Sequence, residues 1–370
     1  MKKCKPVSWA TTRNLIVCLF AALAITAQTS AQTITTFDVP GAGTGSFQGT
    51  LPIGINVYGA IMGYYIDSST VFHCFLRASD GTITTFDAPG AGTSPGYGTV
   101  AYGLNQEGAI TGYDLDSNSV FHGFLRTPDG NITVFDDPDA GTGFGQGTQA
   151  EDINDFGAIA GYYIDSNGVN HGFLRAPDGT FTRFDPKGST GTYPTYFSGL
   201  NDFGTIVGTY NDAANANHCF LRDSNRTITT CDVPGAGTGS GQGTFGDTLN
   251  NFGAIAGAYT DSSNVNHGYV RTEKGVITKF DVPGAGTGTY QGTVSQNIND
   301  FGAIAGLYVD SSNVNHGFLR APNGNITKFD VPGAGTGSGQ GTVPQTNNFG
   351  GSITGYYYDP NGIFHGFLRQ

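Results

Sequence analysis

The sequence predicts an all-β repeat protein, and three observations support this prediction. A motif close to His-Gly-Phe-Leu-Arg recurs along the chain, each repeat contains four short strand-like stretches, and no helical periodicity appears after residue 31. The motif begins at all seven histidines, spaced 49 residues apart except for one interval of 47: His73, His122, His171, His218, His267, His316 and His365.

The third repeat illustrates the predicted strands. Alternating apolar and polar residues predict strands over 149–153, 158–164, 171–175 and 180–185. Turn-forming residues separate them at 154–157, 165–168 and 177–179. Each repeat is therefore expected to form one four-stranded antiparallel unit.

Repeats of 40–50 residues with four strands are typical of a β-propeller. The chain after residue 31 starts with a fourth-strand sequence at 33–38 and ends with a third-strand sequence at 365–369. We therefore expect a seven-bladed propeller whose last blade is closed by the N-terminal strand. A β-solenoid is the alternative, although its terminal repeats would need to differ as caps, and here they do not.

The first 31 residues have the pattern of a secretory signal peptide. Lys2, Lys3, Lys5 and Arg13 precede an apolar run over 15–27, and small residues at 29–31 suit cleavage. The run is too short for a comfortable membrane span. The sequence thus predicts a secreted protein, extracellular or periplasmic, with residues 32–370 forming one seven-repeat domain.

Charge limits the partners of the mature chain. Removing 4 of the 17 basic residues with the leader leaves 13 basic and 29 acidic residues, a net charge of −16. Such a surface disfavours nucleic acid and anionic lipid. We expect a monomer with a neutral or cationic extracellular ligand, polysaccharide or surface protein, and no cofactor except a candidate Ca²⁺ ion.

The repeated motif resembles the HAF-type probable extracellular repeat family. That family is named for a His-Ala-Phe motif before a short strand, and here the middle residue is Gly in five copies, as in His171-Gly172-Phe173, and Cys at Cys74 and Cys219. The resemblance covers the whole mature chain. It implies secretion and a repeat fold, and it brings no catalytic residues.

The hairpin between the third and fourth strands places a histidine opposite an aspartate. If residues 176–179 form a type I turn with a G1 bulge, His171 faces Asp185 and Gly172 faces Phe184. The same arithmetic predicts seven structural pairs: His73–Asp87, His122–Asp136, His171–Asp185, His218–Asp232, His267–Asp281, His316–Asp330 and His365–Asp38. The arginine of each motif, such as Arg175, is expected to pair with an acid or a backbone carbonyl.

One hairpin carries two cysteines in place of the usual Gly and Phe. Cys219 and Cys231 should face each other, which suggests a disulfide in an exported protein. Two small buried thiols are the alternative. Cys74, opposite Phe86, is expected to be a lone thiol.

Any ligand site is expected where the repeats differ. The loops before the first strand and between the second and third strands predict a polar face, on which Lys187, Tyr193 and Tyr196 could contact sugars, although tyrosines that simply pack are the alternative. Asp137, Asp139, Glu151 and Asp152 are candidate Ca²⁺ ligands, and a solvated acidic patch is the alternative.

The sequence leaves three functions open. The first is a secreted, non-catalytic binding or scaffold module. The second is an extracellular carbohydrate-active hydrolase or lyase with carboxylates near the channel, such as Asp152 with Glu107 or Glu151. The third is a purely structural envelope component.

Overall fold

The structure, a computed structural model, describes residues 32–193 and 199–370. These residues form 29 β-strands joined by turns and loops, and residues 33–370 cluster as one compact unit. In this part of the chain there is no helix that could cross a membrane. The predicted signal peptide, residues 1–31, lies outside the described residues.

Apart from β1 (Ile34–Phe37), the strands follow the repeat along the chain. Unit 1 contains β2 (Gly49–Ile55), β3 (Ile61–Ile66), β4 (Phe72–Arg77) and β5 (Ile83–Phe86). Unit 2 contains β6 (Gly98–Leu104), β7 (Ile110–Leu115), β8 (Phe121–Arg126) and β9 (Ile132–Phe135). Unit 3 contains β10 (Gly147–Ile153), β11 (Ile159–Ile164), β12 (Asn170–Arg175) and β13 (Phe181–Phe184). The predicted strands of the third repeat differ from these bounds by at most two residues.

The remaining units keep the pattern with local variation. Unit 4 contains β14 (Gly191–Tyr193), β15 (Ile206–Asn211), β16 (Asn217–Arg222) and β17 (Ile228–Thr230). Unit 5 has a divided first strand, β18 (Gly243–Thr244) and β19 (Thr248–Leu249), then β20 (Ile255–Thr260), β21 (Asn266–Arg271) and β22 (Ile277–Phe280). Unit 6 contains β23 (Gly292–Ile298), β24 (Ile304–Val309), β25 (Asn315–Arg320) and β26 (Ile326–Phe329). Unit 7 contains β27 (Gly341–Asn347), β28 (Ile353–Tyr358) and β29 (Phe364–Arg369).

Consecutive strands pair antiparallel within a unit. In unit 3, β10 pairs with β11, β11 with β12, and β12 with β13, where Gly172 lies opposite Phe184. A Cβ atom at Gly172 would lie 2.7 Å from the ring of Phe184, so glycine at this position makes room for the ring to lie close to the strand.

The N-terminal strand occupies the fourth position of unit 7. β1 pairs antiparallel with β29, from Ile34 opposite Arg369 to Phe37 opposite Gly366. Unit 7 also reaches unit 1, because Gly49 of β2 pairs with Phe364 of β29. The two ends of the described chain are therefore joined through one sheet.

The core repeats with the units. The aromatic residue of each third strand is fully buried: Phe75, Phe124, Phe173, Phe220, Tyr269, Phe318 and Phe367. Phe220 packs edge-on against Phe184 of the preceding unit at 5.9 Å between ring centroids. Each such ring buries apolar surface between neighbouring units, so the units stabilise one another.

Three arginines of the motif, Arg77, Arg126 and Arg271, donate to the backbone carbonyl of the next residue at 3.4–3.5 Å, one of the two expected kinds of partner. Six of the seven guanidinium groups lie over the fourth-strand phenylalanine of the preceding unit, at 4.5–5.0 Å, in the pairs Arg77–Phe37, Arg126–Phe86, Arg175–Phe135, Arg222–Phe184, Arg320–Phe280 and Arg369–Phe329. Cation–π contacts of this kind contribute about 0.5–2 kcal/mol each. In the unit 4 hairpin Cys231 replaces the phenylalanine, so Arg271 has no corresponding ring to cover.

Cys219 and Cys231 form a disulfide across the hairpin of unit 4, with their Cα atoms 4.9 Å apart. Cys74 is a buried free thiol in unit 1. Cys74 lies opposite Phe86.

We expect denatured, unreduced mature protein to accept one alkylating group, at Cys74, and reduced protein to accept three, as measured by intact mass. The variant Cys231→Ser should lower the free energy of unfolding in urea by about 3 kcal/mol, because a cross-link closing a loop of this length restricts the unfolded chain. The double variant Cys219→Gly with Cys231→Phe, which restores the pair found in other units, is the control. Three alkylated thiols before reduction would contradict the disulfide.

Candidate functional site

The turn between the first and second strands of each unit, here called the inner turn, is built on an asparagine. In unit 3, Asn154 Oδ1 accepts the backbone N–H groups of Phe156 and Ala158 at 3.1 and 2.9 Å. An asparagine that binds its own backbone in this way holds a tight turn closed. The seven equivalent residues, all buried, are Asn56, Asn105, Asn154, Asn201, Asn250, Asn299 and Asn348.

These asparagines also connect the units, and we call them the asparagine ring. In six of the seven, the Nδ2 group donates to the backbone carbonyl of the asparagine in the next unit, at 3.0–3.4 Å, from Asn105 through Asn348 to Asn56. The last step joins the end of the chain to its beginning. The ring fixes the positions of the inner turns relative to one another.

The residue after each asparagine forms a second set of links. The backbone N–H of one unit donates to the side-chain oxygen of the next in five steps of 2.8–3.0 Å: Val57 to Gln106, Gln106 to Asp155, Asp155 to Asp202, Asp202 to Asn251, and Asn251 to Asp300. Three of these acceptors are carboxylates. The inner turns therefore concentrate negative charge.

The inner turns surround one cavity of about 250 Å³, which we call the central cavity. It is lined by residues of all seven units, including the whole asparagine ring except Asn56. Asp155, Asp202 and Asp300 also line it. Burial raises the pKa of Asp155, and the charges of Asp202 and Glu107 raise it further.

Large aromatic side chains protrude from six inner turns. Tyr58, Phe156, Phe203, Phe252, Phe301 and Phe349, here called the aromatic crown, each expose 51–73% of their surface. The rings of Phe301 and Phe349 lie 4.1 Å apart between centroids. Clustered exposed rings are unusual on a folded surface and commonly mark a binding site.

The carboxylates suggested for catalysis occupy different environments. Asp152 accepts backbone N–H groups from Ile153 and Leu200 at 2.9 and 3.0 Å, and burial raises its pKa to about 7. Glu151 is buried, and burial raises its pKa well above the usual range. Glu107 is exposed on its inner turn. Both carboxylate oxygens of Asp152 therefore accept backbone N–H groups. Catalysis by Asp152 with Glu107 or Glu151 stays a prediction.

The four predicted calcium ligands are not brought together. Arg183 binds Asp137 through Nε at 2.8 Å and Asp139 through Nη1 at 2.9 Å, at the start of a loop. Glu151 and Asp152 lie instead on β10. Within residues 32–193 and 199–370, no group of three or more His, Cys, Asp or Glu side chains is placed to hold a metal ion. The loop that carries Asp137 and Asp139 therefore lies apart from the strand that carries Glu151 and Asp152. Their spacing in the sequence did not show this separation.

The seven histidines form repeated side-chain contacts. Each Nδ1 lies 2.8–3.0 Å from the carboxylate of the aspartate just beyond the end of the fourth strand. The pairs are His73–Asp87, His122–Asp136, His171–Asp185, His218–Asp232, His267–Asp281, His316–Asp330 and His365–Asp38. Each Nε2 lies 3.4–3.9 Å from the aspartate six residues earlier. A second-strand tyrosine stacks on the histidine in every unit but the second.

Unit 2 replaces this tyrosine with Asp114. The carboxylate is buried opposite His122, and neither oxygen has a hydrogen-bond partner among the described residues. Burial raises the pKa of Asp114 to about 7, which His122 partly opposes. Burial alone would lower the pKa of His122, but Asp136, Asp114 and Asp116 raise it overall.

Of the three predicted sugar-contacting residues, the structure describes Lys187 and Tyr193. Tyr193 belongs to β14 and packs against Tyr162 at 5.5 Å between ring centroids. Burial raises the pKa of Tyr193. Lys187 is exposed on the preceding loop, and Tyr196 lies outside the described residues. Tyr193 therefore serves packing, which was the alternative interpretation.

The asparagines and aromatic residues of the inner turns are not among the site residues predicted from the sequence. The available signal was the aromatic residue inside a turn, as in Asn154-Asp155-Phe156-Gly157, where small polar residues are usual. A large apolar residue placed repeatedly in a short turn indicates exposure.

No family model matches the chain. No curated protein matches it either. Solved structures do match. The BP39L lectin from Burkholderia pseudomallei is 9% identical, with 85% of this chain and 93% of the lectin covered and a TM-score of 0.56. A mutant of puromycin hydrolase complexed with PGG is 11% identical, with a TM-score of 0.55 over 84% of this chain.

The chain spans 50% of the length of that hydrolase. A fungal lectin from Aleuria aurantia, described as a six-bladed β-propeller with a novel fucose recognition mode, is 13% identical over 80% of this chain and 94% of the lectin, with a TM-score of 0.41. Four-stranded antiparallel units around one central cavity are the β-propeller architecture. The chain is therefore an all-β protein with a β-propeller fold.

Proposed function

We propose that this protein is a secreted seven-bladed β-propeller that binds carbohydrate without transforming it. The leader-like residues 1–31 support secretion. Seven units, the pairing of β1 with β29 and the Asn348–Asn56 hydrogen bond support a ring closed by the N-terminal strand.

The aromatic crown carries the functional proposal. Its six exposed rings lie on the inner turns, whose amide and carboxylate groups line the central cavity together with Phe349. Flat apolar rings next to hydrogen-bonding groups suit a sugar, which has an apolar C–H face and a hydroxyl rim. The likeness to a bacterial lectin agrees with such a role.

Binding of neutral hexasaccharides of β-linked glucose and of N-acetylglucosamine to the purified mature chain, measured by titration calorimetry, tests this proposal. We expect the triple variant Phe156→Ala, Phe203→Ala, Phe252→Ala to bind at least about tenfold more weakly, because stacking area is lost. Its thermal midpoint should be unchanged, because these rings are exposed.

Three exposed aromatic residues at the opposite end of the first strands provide the matched control. The triple variant Phe47→Ala, Phe144→Ala, Tyr290→Ala removes similar rings from the loops that precede β2, β10 and β23. We expect it to bind sugars like the unmodified protein. If it alone loses binding, the site lies on those loops and not at the crown, and if neither hexasaccharide binds, the proposed function is wrong.

A further inference from the structure

The central cavity is surrounded by uncompensated negative charge. Asp155, Asp202 and Asp300 line it, and Glu107 is exposed on the inner turn of unit 2. The seven inner turns contain no lysine, arginine or histidine. Among the described residues, none of these four acids forms an ion pair.

Neutral groups hold these carboxylates in place. Oδ1 of Asp155 accepts the N–H of Gln106, and Oδ1 of Asp202 accepts the N–H of Asp155. The Nδ2 group of Asn251 lies between Asp202 and Asp300, at 2.9 and 3.3 Å from their Oδ2 atoms. Amide donors of this kind orient the carboxylates without cancelling their charge. The charges of Asp202 and Glu107 accordingly raise the pKa of Asp155 beyond the effect of burial.

A separate polar group points to a ligand. Asn347 lines the central cavity with only 4% of its surface exposed. Its Nδ2 donates to the carbonyl of Ala303, but its Oδ1 has no hydrogen-bond partner among the described residues. A buried acceptor without a donor is costly, and a ligand donor would satisfy it.

The aromatic crown adds ring faces that can attract a cation. Phe156 and Phe203 directly follow the cavity-lining Asp155 and Asp202, so each of these inner turns carries a carboxylate and an exposed aromatic ring on neighbouring residues. An ammonium group is attracted both by carboxylates and by aromatic faces, and the two attractions act together where water is partly excluded.

We propose that the central cavity and aromatic crown select glycans bearing free amino groups, such as chains of β-linked glucosamine. The proposal rests on the carbohydrate-binding function proposed above. Sugar rings stack on the crown, ammonium groups meet Asp155, Asp202 and Glu107, and a hydroxyl or ammonium donor meets Asn347 Oδ1.

Calorimetry with four hexasaccharides tests the proposal: β-linked glucosamine, N-acetylglucosamine, glucose and galacturonate. At mildly acidic pH, where the glucosamine amines are protonated, we expect the glucosamine chain to bind about tenfold more tightly than the two neutral chains. The galacturonate chain should bind most weakly. The preference for glucosamine should shrink at high salt, because screening weakens exposed charge pairs.

The double variant Glu107→Gln, Asp155→Asn removes two charges and keeps an oxygen for the Gln106 N–H. We expect it to bind glucosamine and glucose chains equally, with unchanged affinity for glucose. The control Asp80→Asn, Asp178→Asn removes the same charge from outer hairpin turns, where each residue caps a threonine N–H, and should keep the preference.

The outcomes separate the two proposals. If neutral and glucosamine chains bind the unmodified protein equally, the selection of amino sugars is wrong but carbohydrate binding stands. The same holds if the double variant and its control lose the preference alike, since net charge then explains it. If only glucosamine binds, recognition is of charge alone and both proposals fail. Absence of binding by all four also overturns both.

Discussion

Deleting residues 33–37 is expected to lower the thermal midpoint of the mature protein by about 10 °C. The deletion removes β1, which completes unit 7, and with it the Phe37 ring that packs on Phe75 at 6.2 Å and under Arg77. Phe37 is partly buried, and losing a buried aromatic ring costs up to about 3–5 kcal/mol. Each kcal/mol shifts the midpoint of a domain of this size by about 2–4 °C. The exposed edge of β29 should also promote aggregation.

A point variant and an internal control sharpen this prediction. Phe37→Ala and Phe184→Ala remove equivalent rings, and Phe184 lies between covalently continuous repeats, where it contacts Phe220 and Arg222. If the N-terminal strand closes the ring as we propose, both variants should lower the unfolding free energy similarly. A synthetic peptide of residues 32–40 should restore the midpoint of the deleted protein. An undiminished midpoint after deletion would show that closure contributes no stability.

The second prediction is that stability falls steeply as pH rises from 4 to 8. Burial raises the pKa of Asp114, Asp152 and Asp247 to about 7, from 3.8 for an unperturbed aspartate. Between these values the folded state keeps protons that the unfolded state has released, so the free energy of unfolding decreases with rising pH. Each shift corresponds to roughly 4 kcal/mol at 1.36 kcal/mol per pKa unit, as an order of magnitude.

The histidines act in the same direction. The raised pKa values of His122 and His218 provide stability that is fully present below their unfolded value and is lost as pH rises through their folded values. Aspartates with lowered pKa, such as Asp165, oppose this only at lower pH, where their stabilisation is lost as they become protonated. Together these groups place maximal stability near pH 4–5.

Asp114 allows a clean test, because neither oxygen has a hydrogen-bond partner among the described residues. Asp114→Asn should raise the unfolding free energy at pH 8 by a few kcal/mol and leave it nearly unchanged at pH 4, measured by urea unfolding. Asp114→Tyr restores the residue that stacks on histidine in the other units. Asp178→Asn serves as control, because the lowered pKa of Asp178 confines any change in its contribution to acid, below the usual aspartate pKa. Equal stabilisation at both pH values would argue against a buried, titrating Asp114.

Local rules explain how much of this fold the sequence predicts. A two-residue side-chain period and a defined hairpin turn determine which residues face each other, so counting along 171–185 is enough to place His171 beside Asp185. The same counting placed Cys219 opposite Cys231, and the structure joins them. The pairing of residues across a hairpin therefore follows from their spacing within that hairpin.

Contacts between units do not follow from such counting. Arg175 covers Phe135 of the preceding unit rather than an acid, and Asn154 donates to Asn201 of the next one. Asp137 and Asp152, both candidate ligands in the same repeat, are separated because one begins a loop and the other lies in an inner strand. The spacing of residues along the sequence does not specify the rotation of one four-stranded unit relative to the next.

The sequence by itself determined the repeat, the four strands of each unit and the partners within each hairpin, because these depend on short-range backbone geometry. Only the tertiary structure decided that seven inner turns meet around one cavity, with carboxylates and aromatic rings side by side. That convergence depends on packing between units, where each buried ring and asparagine positions its neighbour.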